Sequence, residues 1–284
     1  MPSQQTPQPG TPVLLGIPFD ANSSYVRGAA GAPPLIREAF RSESSNSFSE
    51  SGVELSAENL LDAGDLELLP DNAFAKIESA VGQLLDQGQA TVCLGGDHSI
   101  TYPIVRAFGT RFTDLTLVHF DAHSDLYEEF DGNRYSHACP FARIMEERCV
   151  KRLIQVGIRT MNAHQRKQAD RFGVEVIEMR ELPALERLKL AGPVYISFDI
   201  DVLDPAFAPG ISHREPGGMS VREAIAHLHA IQGDIVGADI VEYNPKQDVS
   251  KLTAMVCAKI LKEILGKMIA GWNGEKELPA PVST

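Results

Sequence analysis

The chain has 284 residues, of which 43% are hydrophobic, and its 26 Lys and Arg against 38 Asp and Glu give a formal net charge of −12. This length suits one large α/β domain. The negative charge argues against a nucleic-acid partner. No apolar run approaches the roughly 20 residues of a membrane span, so a membrane partner is not expected either.

The two ends of the chain and its cysteines carry little structural information. Residues 1–12 are rich in Gln, Pro and Thr without an apolar signal core, which predicts a disordered lead. A catalytic domain is predicted over 13–270, and a flexible tail over 271–284. The four cysteines show no CxxC spacing. We therefore expect reduced thiols and a cytoplasmic protein.

Apolar runs alternate with helix-like segments along the whole chain. Eight strands are predicted, at 13–17, 60–63, 91–94, 115–120, 153–158, 174–177, 194–198 and 235–240. Six helices are predicted, at 73–87, 100–108, 141–148, 163–172, 221–232 and 251–269. Ser220 and Glu223 form a capping box at the start of the fifth. Because the strands are continuously apolar, they predict a parallel sheet covered by helices on both faces.

Acidic residues and histidines follow three of these strands directly, as GGDH at 95–98, DAHSD at 121–125 and SFDID at 197–201. Open α/β sheets place ligands at the carboxyl ends of their strands. Residues two apart in an extended segment face the same way, so the side chains within each motif can converge. Six metal ligands are predicted: His98, Asp121, His123, Asp125, Asp199 and Asp201.

Two imidazoles and four carboxylates are too many for one cation and suit two cations that share oxygens. Burying the carboxylates uncompensated would cost several kcal/mol per ion. Mixed oxygen and nitrogen ligands favour manganese, although imidazole also accepts zinc, nickel or iron. Acidic residues at strand ends often only cap helices, and His98 alone could be a core histidine. Three such clusters together rarely arise from capping, so we predict a two-metal hydrolase whose cations activate a shared water.

Four further residues have candidate roles beside the metals. Asp125 can bind metal with one oxygen and accept a hydrogen bond from the activated water with the other. Glu242 follows the last strand and can pair with a cationic substrate; the alternative is a surface salt bridge or loop cap. His137 can give a proton to the departing amine, unless it is an ordinary loop histidine. His119 lies deeper in its strand and is predicted to support a ligand rather than bind metal.

The GGDHS, DAHSD and SFDIDVLDPAFAPG segments resemble the ureohydrolases, the arginase and agmatinase family, over most of the chain. The resemblance implies a three-layer α/β/α fold with an eight-stranded parallel sheet. It also implies two Mn²⁺ per subunit, hydrolysis of a guanidino group, and a homo-oligomer, either a trimer or a hexamer. One ion would be held by His98, Asp121, Asp125 and Asp199, and the other by Asp121, His123, Asp199 and Asp201. Glu242 would bind the guanidinium, and His137 matches the family's mobile histidine.

The choice of substrate depends on the pocket mouth. Segments that include 22–24 and 132–138 resemble plant-type arginases, but Tyr127 and Asn162 depart from the animal pattern where the α-groups are recognised. Candidate donors to an α-carboxylate are Asn133, Arg134, Asn162 and His213. Such donors would select L-arginine, giving urea and L-ornithine, over agmatine, giving urea and putrescine. Another guanidino-acid hydrolase, a non-catalytic metal- or polyamine-binding protein and a one-zinc deacetylase remain alternatives.

Overall fold

The computed structural model describes residues 10–184 and 188–271 and contains one sheet of eight strands. The strands are β1 (Pro12–Gly16), β2 (Leu61–Asp65), β3 (Ala90–Leu94), β4 (Thr116–Phe120), β5 (Arg152–Ile158), β6 (Glu175–Glu178), β7 (Lys189–Asp199) and β8 (Gln232–Val241). All pairings are parallel, in the order β2-β1-β3-β8-β7-β4-β5-β6. The predicted α/β fold with an eight-stranded parallel sheet is confirmed.

Helices cover both faces of the sheet and complete the three layers. They are α1 (Ala32–Phe40), α2 (Ala73–Asp86), α3 (Thr101–Gly109), α4 (Pro140–Glu146), α5 (Ala163–Phe172), α6 (Val221–Ala230) and α7 (Leu252–Gly271). On one face α1 and α6 pack against α7, and on the other α2, α3, α4 and α5 pack in sequence. A separate apolar core fills each interface with the sheet. No helix of the described chain is both long and apolar enough to cross a bilayer.

The structure departs from the predicted elements in several places, among them the start of β7, which lies at Lys189 rather than at 194. Helix α1 was not predicted; two prolines occupy its first turn, where a missing N–H leaves no hydrogen bond unmade. Helix α6 ends at Ala230, since β8 already begins at Gln232. Strand β1 starts at Pro12, inside the predicted lead. Residues 1–9 of that lead and 272–284 of the predicted tail lie outside the described residues.

The four central strands bring the predicted motifs to one edge of the sheet. Strands β3, β8, β7 and β4 are adjacent, and each ends at one of the candidate segments. The chain passes from β1 outward to β2 and then back to β3, and from β4 outward to β5 and β6 and then back to β7 and β8. This reversal in strand order is where open α/β sheets form a binding crevice.

Gly96 follows strand β3 at this edge of the sheet, and there is no space for a side chain at its Cα. A Cβ at Gly96 would collide with the main-chain carbonyl of Phe19, which cannot rotate away. We expect Gly96→Ala to lower the free energy of unfolding by about 2–3 kcal/mol. The matched control is Gly82→Ala in α2, where no atom lies within 4 Å and alanine favours the helix by about 1 kcal/mol. Urea denaturation measures both; equal stability of the two variants would contradict the predicted collision.

Candidate active site

The imidazole of His98 lies within the site, and its Nδ1 faces three hydrogen-bond acceptors. Its Nδ1 lies 3.2 Å from Asp121 Oδ2, 3.2 Å from Asp125 Oδ2 and 3.1 Å from Asp199 Oδ2. The ring is fully buried and this nitrogen makes no hydrogen bond. An imidazole lone pair facing three carboxylate oxygens is repelled unless a proton or a cation lies between them.

The other nitrogen of His98 shows which tautomer this geometry favours. Nε2 lies 2.9 Å from Ser197 Oγ, and that hydroxyl donates to Asp239 Oδ1 at 2.7 Å. Because the serine proton is committed to Asp239, Oγ accepts from Nε2–H, and Nδ1 keeps its lone pair. Tyr195 and Thr101 also donate to Asp239, at 2.8 and 3.0 Å. A metal-binding histidine typically has this kind of support on its second nitrogen.

Asp121 presents its two oxygens to two different histidines. Oδ2 faces His98, and Oδ1 lies 3.4 Å from Nδ1 of His123. His123 Nδ1 is also 3.0 Å from Asp201 Oδ2, and the second Asp201 oxygen accepts from the Ala122 amide at 3.1 Å. Two groups of ligand atoms thus meet at one shared carboxylate, so all six predicted ligands come together.

His119, predicted to support a ligand, lies beside Asp121 and His98 and is itself close enough to form a possible metal-binding group with them. Its Nε2 is 2.7 Å from Asp121 Oδ2, while Gln155 Nε2 donates to its Nδ1 at 3.0 Å. Because Nδ1 accepts, Nε2 carries the proton and donates to Asp121. Burial lowers the pKa of His119, which keeps the ring neutral despite the nearby Asp121 charge. Its ring stacks on Phe141 with centroids 3.8 Å apart.

The charge balance of the cluster fits bound cations. Burial and the Asp121 charge raise the pKa of Asp201 to about 6, and burial raises that of Asp199 well above its usual range. Burial alone would lower the pKa of His123, but Asp201 and Asp121 raise it to about 12. Without cations, Asp199 and Asp201 are therefore shifted toward their protonated forms, while the neighbouring histidines hold the pKa of Asp121 well below its usual range. The orphaned Nδ1 of His98 and this oxygen-rich donor set therefore fit divalent metal.

The Ser197 contact gives a direct test of this support. Ser197→Ala removes the acceptor of His98 Nε2–H, so the ring loses the bond that fixes its tautomer and orientation. We expect metal affinity to fall about tenfold, measured by competition with a fluorescent chelator. Ser212→Ala, a hydroxyl that donates to the Val26 carbonyl at 2.7 Å, is the control and should retain wild-type affinity. Unchanged affinity in Ser197→Ala would argue against this tautomer.

His137 and Glu242 form a buried ion pair beside the predicted metal ligands. His137 Nδ1 lies 2.8 Å from Glu242 Oε1, and that oxygen also accepts from the His98 amide at 2.8 Å. Burial alone would lower the pKa of His137, but the Glu242 carboxylate raises it to about 9. Burial opposes ionisation of Glu242, yet His137 and the His98 amide lower its pKa below the usual value. The site therefore holds a carboxylate ready for a cation.

Two acidic residues of the site have strained backbones. Asp125 and Glu242 have φ of 46° and 64°, in the left-handed region that side-chain-bearing residues rarely adopt. The Glu242 amide donates to the Gly96 carbonyl at 2.9 Å, which holds this conformation. Such strain persists only where the surroundings impose it, and it concentrates at functional sites.

A cavity of about 170 Å³ opens onto the cluster and is large enough only for a small substrate group. Its wall includes Asp125, Asp199, Asp201, His123, His137, Glu242 and His213, and also Ser24, Tyr127, Phe130, Thr160 and Gln165. The His213 ring lies 5.1 Å from the His137 ring and 5.7 Å from that of Tyr25. Burial and the positive charge of His137 lower the pKa of His213, so it is a neutral donor or acceptor.

Three other side chains that were predicted to contact the substrate instead bond to neighbouring residues of the protein. Asn133 Nδ2 donates to Asn22 Oδ1 at 3.1 Å, and Arg134 pairs with Glu146 at 3.0 Å. Asn162 caps α5 by accepting from the Gln165 amide and also donates to the Tyr127 hydroxyl at 2.6 Å. None of these three predicted side chains lies in the cavity wall described above. Tyr127 takes the place at the mouth that was expected of Asn162.

Ser24, Phe130 and Gln165 belong to the wall but were not among the predicted site residues. The run 22–24 carried some indication, since a polar segment follows strand β1 at the active edge. Phe130 carried none, because a single aromatic in a polar loop does not reveal which way it turns. Gln165 completes a capping box at the start of α5, and this structural role gave no reason to expect the residue in the site.

The fold and the site together define a metal-dependent α/β hydrolase for small cationic substrates. The Arginase family model matches residues 11–266. "Arginase 1, mitochondrial" of Arabidopsis thaliana is 47% identical over 274 residues, which are 90% of this chain and 80% of that relative. An agmatinase of Bacillus subtilis is 34% identical, over 89% and 90% of the two chains. The chain belongs to the arginase family, whose members hydrolyse small guanidino compounds.

The solved structures agree with this assignment. An arginase from Medicago truncatula superposes with a TM-score of 0.86 at 43% identity, covering 90% of this chain and 87% of that one. One expectation is corrected by the relatives. The predicted cytoplasmic location is wrong, because the similar Arabidopsis arginase is named mitochondrial. Reduced cysteines and an unremarkable N-terminal composition do not distinguish the cytosol from an organelle.

Proposed function

We propose that this protein is an arginase that uses two Mn²⁺ to hydrolyse L-arginine to urea and L-ornithine. The observation that carries the proposal is Asp121, whose two oxygens face two separate histidines within one buried acidic cluster. One ion would be held by His98, Asp121, Asp125 and Asp199, and the other by Asp121, His123, Asp199 and Asp201. When bound, the two cations neutralise the carboxylates and acidify a water molecule.

The remaining groups of the site act on the substrate. The Glu242 carboxylate binds the guanidinium with charge-assisted hydrogen bonds and orients it toward the cluster. Asp125 accepts a hydrogen bond from the reacting water through its second oxygen, which fixes the direction of attack. His137 holds a proton beside the cavity and gives it to the departing amine, which would otherwise leave as an unstable anion.

Agmatinase is the second candidate, and one observation favours it. Among the described residues, no Lys or Arg lines the cavity, so the donors available to an α-carboxylate beyond the ligand cluster and His137 are neutral groups such as His213, Tyr127 and Gln165. A site that recognises a carboxylate through several such donors still rejects an analogue lacking it. The ratio of kcat/KM for arginine to that for agmatine separates the two candidates.

A substrate panel after metal removal tests the proposal. Chelation should abolish urea release from arginine, and two equivalents of Mn²⁺ per chain should restore it, with Ni²⁺ and Zn²⁺ as comparisons. Agmatine, guanidinobutyrate and guanidine complete the panel. If metal-replete protein bound these compounds without releasing urea, it would be a binding protein. A single equivalent of zinc would instead favour a deacetylase-like site.

The proposal includes the self-association expected of the family. The protein is proposed to form a homo-oligomer, a trimer or a hexamer, and to have small cationic guanidino compounds as its ligands. Sedimentation equilibrium of the metal-loaded protein measures the assembly directly. A monomer at micromolar concentration would remove this part of the proposal without affecting the chemistry.

A further inference from the structure

Ser24 approaches the nitrogen of His137 that Glu242 leaves free. The Ser24 hydroxyl lies 2.8 Å from His137 Nε2, and the Ser24 amide nitrogen lies 3.2 Å from the same atom. Nδ1 of the same ring is engaged by Glu242 at 2.8 Å. Both ring nitrogens of His137 are therefore engaged, Nδ1 by the Glu242 carboxylate and Nε2 by Ser24, in the loop that follows β1.

The two Ser24 contacts differ in what they permit. A backbone amide can only donate, so at its 3.2 Å distance it stabilises Nε2 as an acceptor, in the neutral ring. A hydroxyl can donate or accept. When Nε2 gains a proton, the hydroxyl can turn and accept from it. Ser24 thus gives His137 a hydrogen bond in both protonation states.

The loop that carries Ser24 is fixed from both sides. The Asn22 amide donates to Asp97 Oδ2 at 3.0 Å, and the Asn22 carbonyl accepts from the His137 amide at 3.1 Å. Asn133 donates to the Asn22 side chain at 3.1 Å. These bonds hold the hydroxyl at the imidazole even though Ser24 itself is exposed. Ser24 is thus an exposed residue whose hydroxyl contacts a nearly buried imidazole, so it lies between that ring and solvent.

We propose that Ser24 is the positioning residue of His137 and that its hydroxyl carries proton exchange between the imidazole and solvent. This rests on the proposed function, in which His137 protonates the departing amine. After Nε2–H has been given up, the Ser24 hydroxyl transfers its proton to Nε2 and takes one from a solvent water. Only N–H and O–H bonds change, and the proton lost to the product amine is replaced from solvent.

Ser24→Ala tests the proposal, because it removes the hydroxyl and keeps the amide. With L-arginine we expect kcat to fall about tenfold and KM to stay within about twofold. Ser24→Thr keeps a hydroxyl and should recover most of the loss. Ser23→Ala, the neighbouring loop hydroxyl, is the matched control and should keep wild-type kcat. Melting temperatures check that all variants fold.

A double-mutant cycle shows whether Ser24 acts through His137. In a His137→Asn background, Ser24→Ala should cost no further activity. An equal loss in both backgrounds, or a rise in KM alone, would overturn the proposal. If the wild-type protein released no urea, the proposed function would fail separately. The ¹⁵N shift of His137 Nε2 would still report whether the Ser24 hydroxyl bonds to it, and an unchanged shift in Ser24→Ala would reject the contact.

Discussion

Asp121→Asn is expected to reduce urea release by at least about a thousandfold, the largest effect of any single substitution at the site. The change keeps the shape of the side chain but replaces one anionic oxygen with a donor amide. Asp121 alone among the ligands faces both His98 and His123, so both groups of ligand atoms are damaged at once. Plasma emission measurements of metal content should show less than two equivalents bound.

The control for this substitution is the same chemical change at an exposed position. Asp170→Asn, on the surface of α5, should keep wild-type metal content and turnover. The free energy of unfolding of metal-free Asp121→Asn should decrease, because, despite burial, His119, His123 and His98 hold the pKa of Asp121 well below its usual range and so stabilise its carboxylate in the fold. An active Asp121→Asn enzyme with full metal content would contradict the role assigned to this carboxylate.

Glu242→Gln is expected to have the second largest effect, lowering kcat/KM by about a hundredfold to a thousandfold. Losing one partner of a buried charge pair typically costs about 2–5 kcal/mol. The glutamine still accepts from the His98 amide, so the local backbone is retained, but it no longer attracts the guanidinium or supports protonated His137. Steady-state kinetics with arginine and metal analysis together separate this loss from loss of metal.

Glu263→Gln provides the comparison, because Glu263 is also a fully buried carboxylate paired with a histidine. It lies on α7, 2.8 Å from His229 Nε2, and accepts from the Glu50 amide at 3.0 Å. Its substitution should lower the melting temperature while leaving kcat/KM of the folded enzyme unchanged. If both variants lost activity equally, the effect of Glu242→Gln would reflect general destabilisation.

Periodicity and spacing predict the framework of this molecule well. Runs such as 115–120 are mostly apolar, which favours a parallel strand covered on both faces, and the acidic motifs follow those runs directly. Helix α1 was not predicted, because its prolines suggest a loop when the packing against α7 is unknown. The ends of elements also moved, as at Gln232, where sheet pairing prevails over helix propensity.

Individual side-chain directions in the loops could not be predicted from the sequence. Asn133 and Asn162 have the right chemistry for a carboxylate, but both are consumed by local hydrogen bonds that depend on three-dimensional neighbours. His213 lies in the cavity wall, and its substrate contact stays a prediction, whereas Ser24 became visible only through its distance to His137. At the end of a strand, the alternation of side chains determines which way each predicted ligand points. A loop has no such alternation, so the directions of its side chains do not follow from the sequence.

The left-handed backbone conformations of Asp125 and Glu242 lower the stability of the fold, and they occur at two residues of the candidate active site. Glycine at either position would relax a conformation that costs side-chain-bearing residues roughly 1–2 kcal/mol each. A laboratory selection that rewarded only a higher melting point would therefore favour glycine at Asp125, a proposed site residue, whereas at Glu242 the loss of the His137 ion pair and of the His98 amide bond opposes that gain. Engineering for thermal stability must therefore measure turnover as well as melting temperature, because selection on melting temperature alone yields well-folded, inactive proteins.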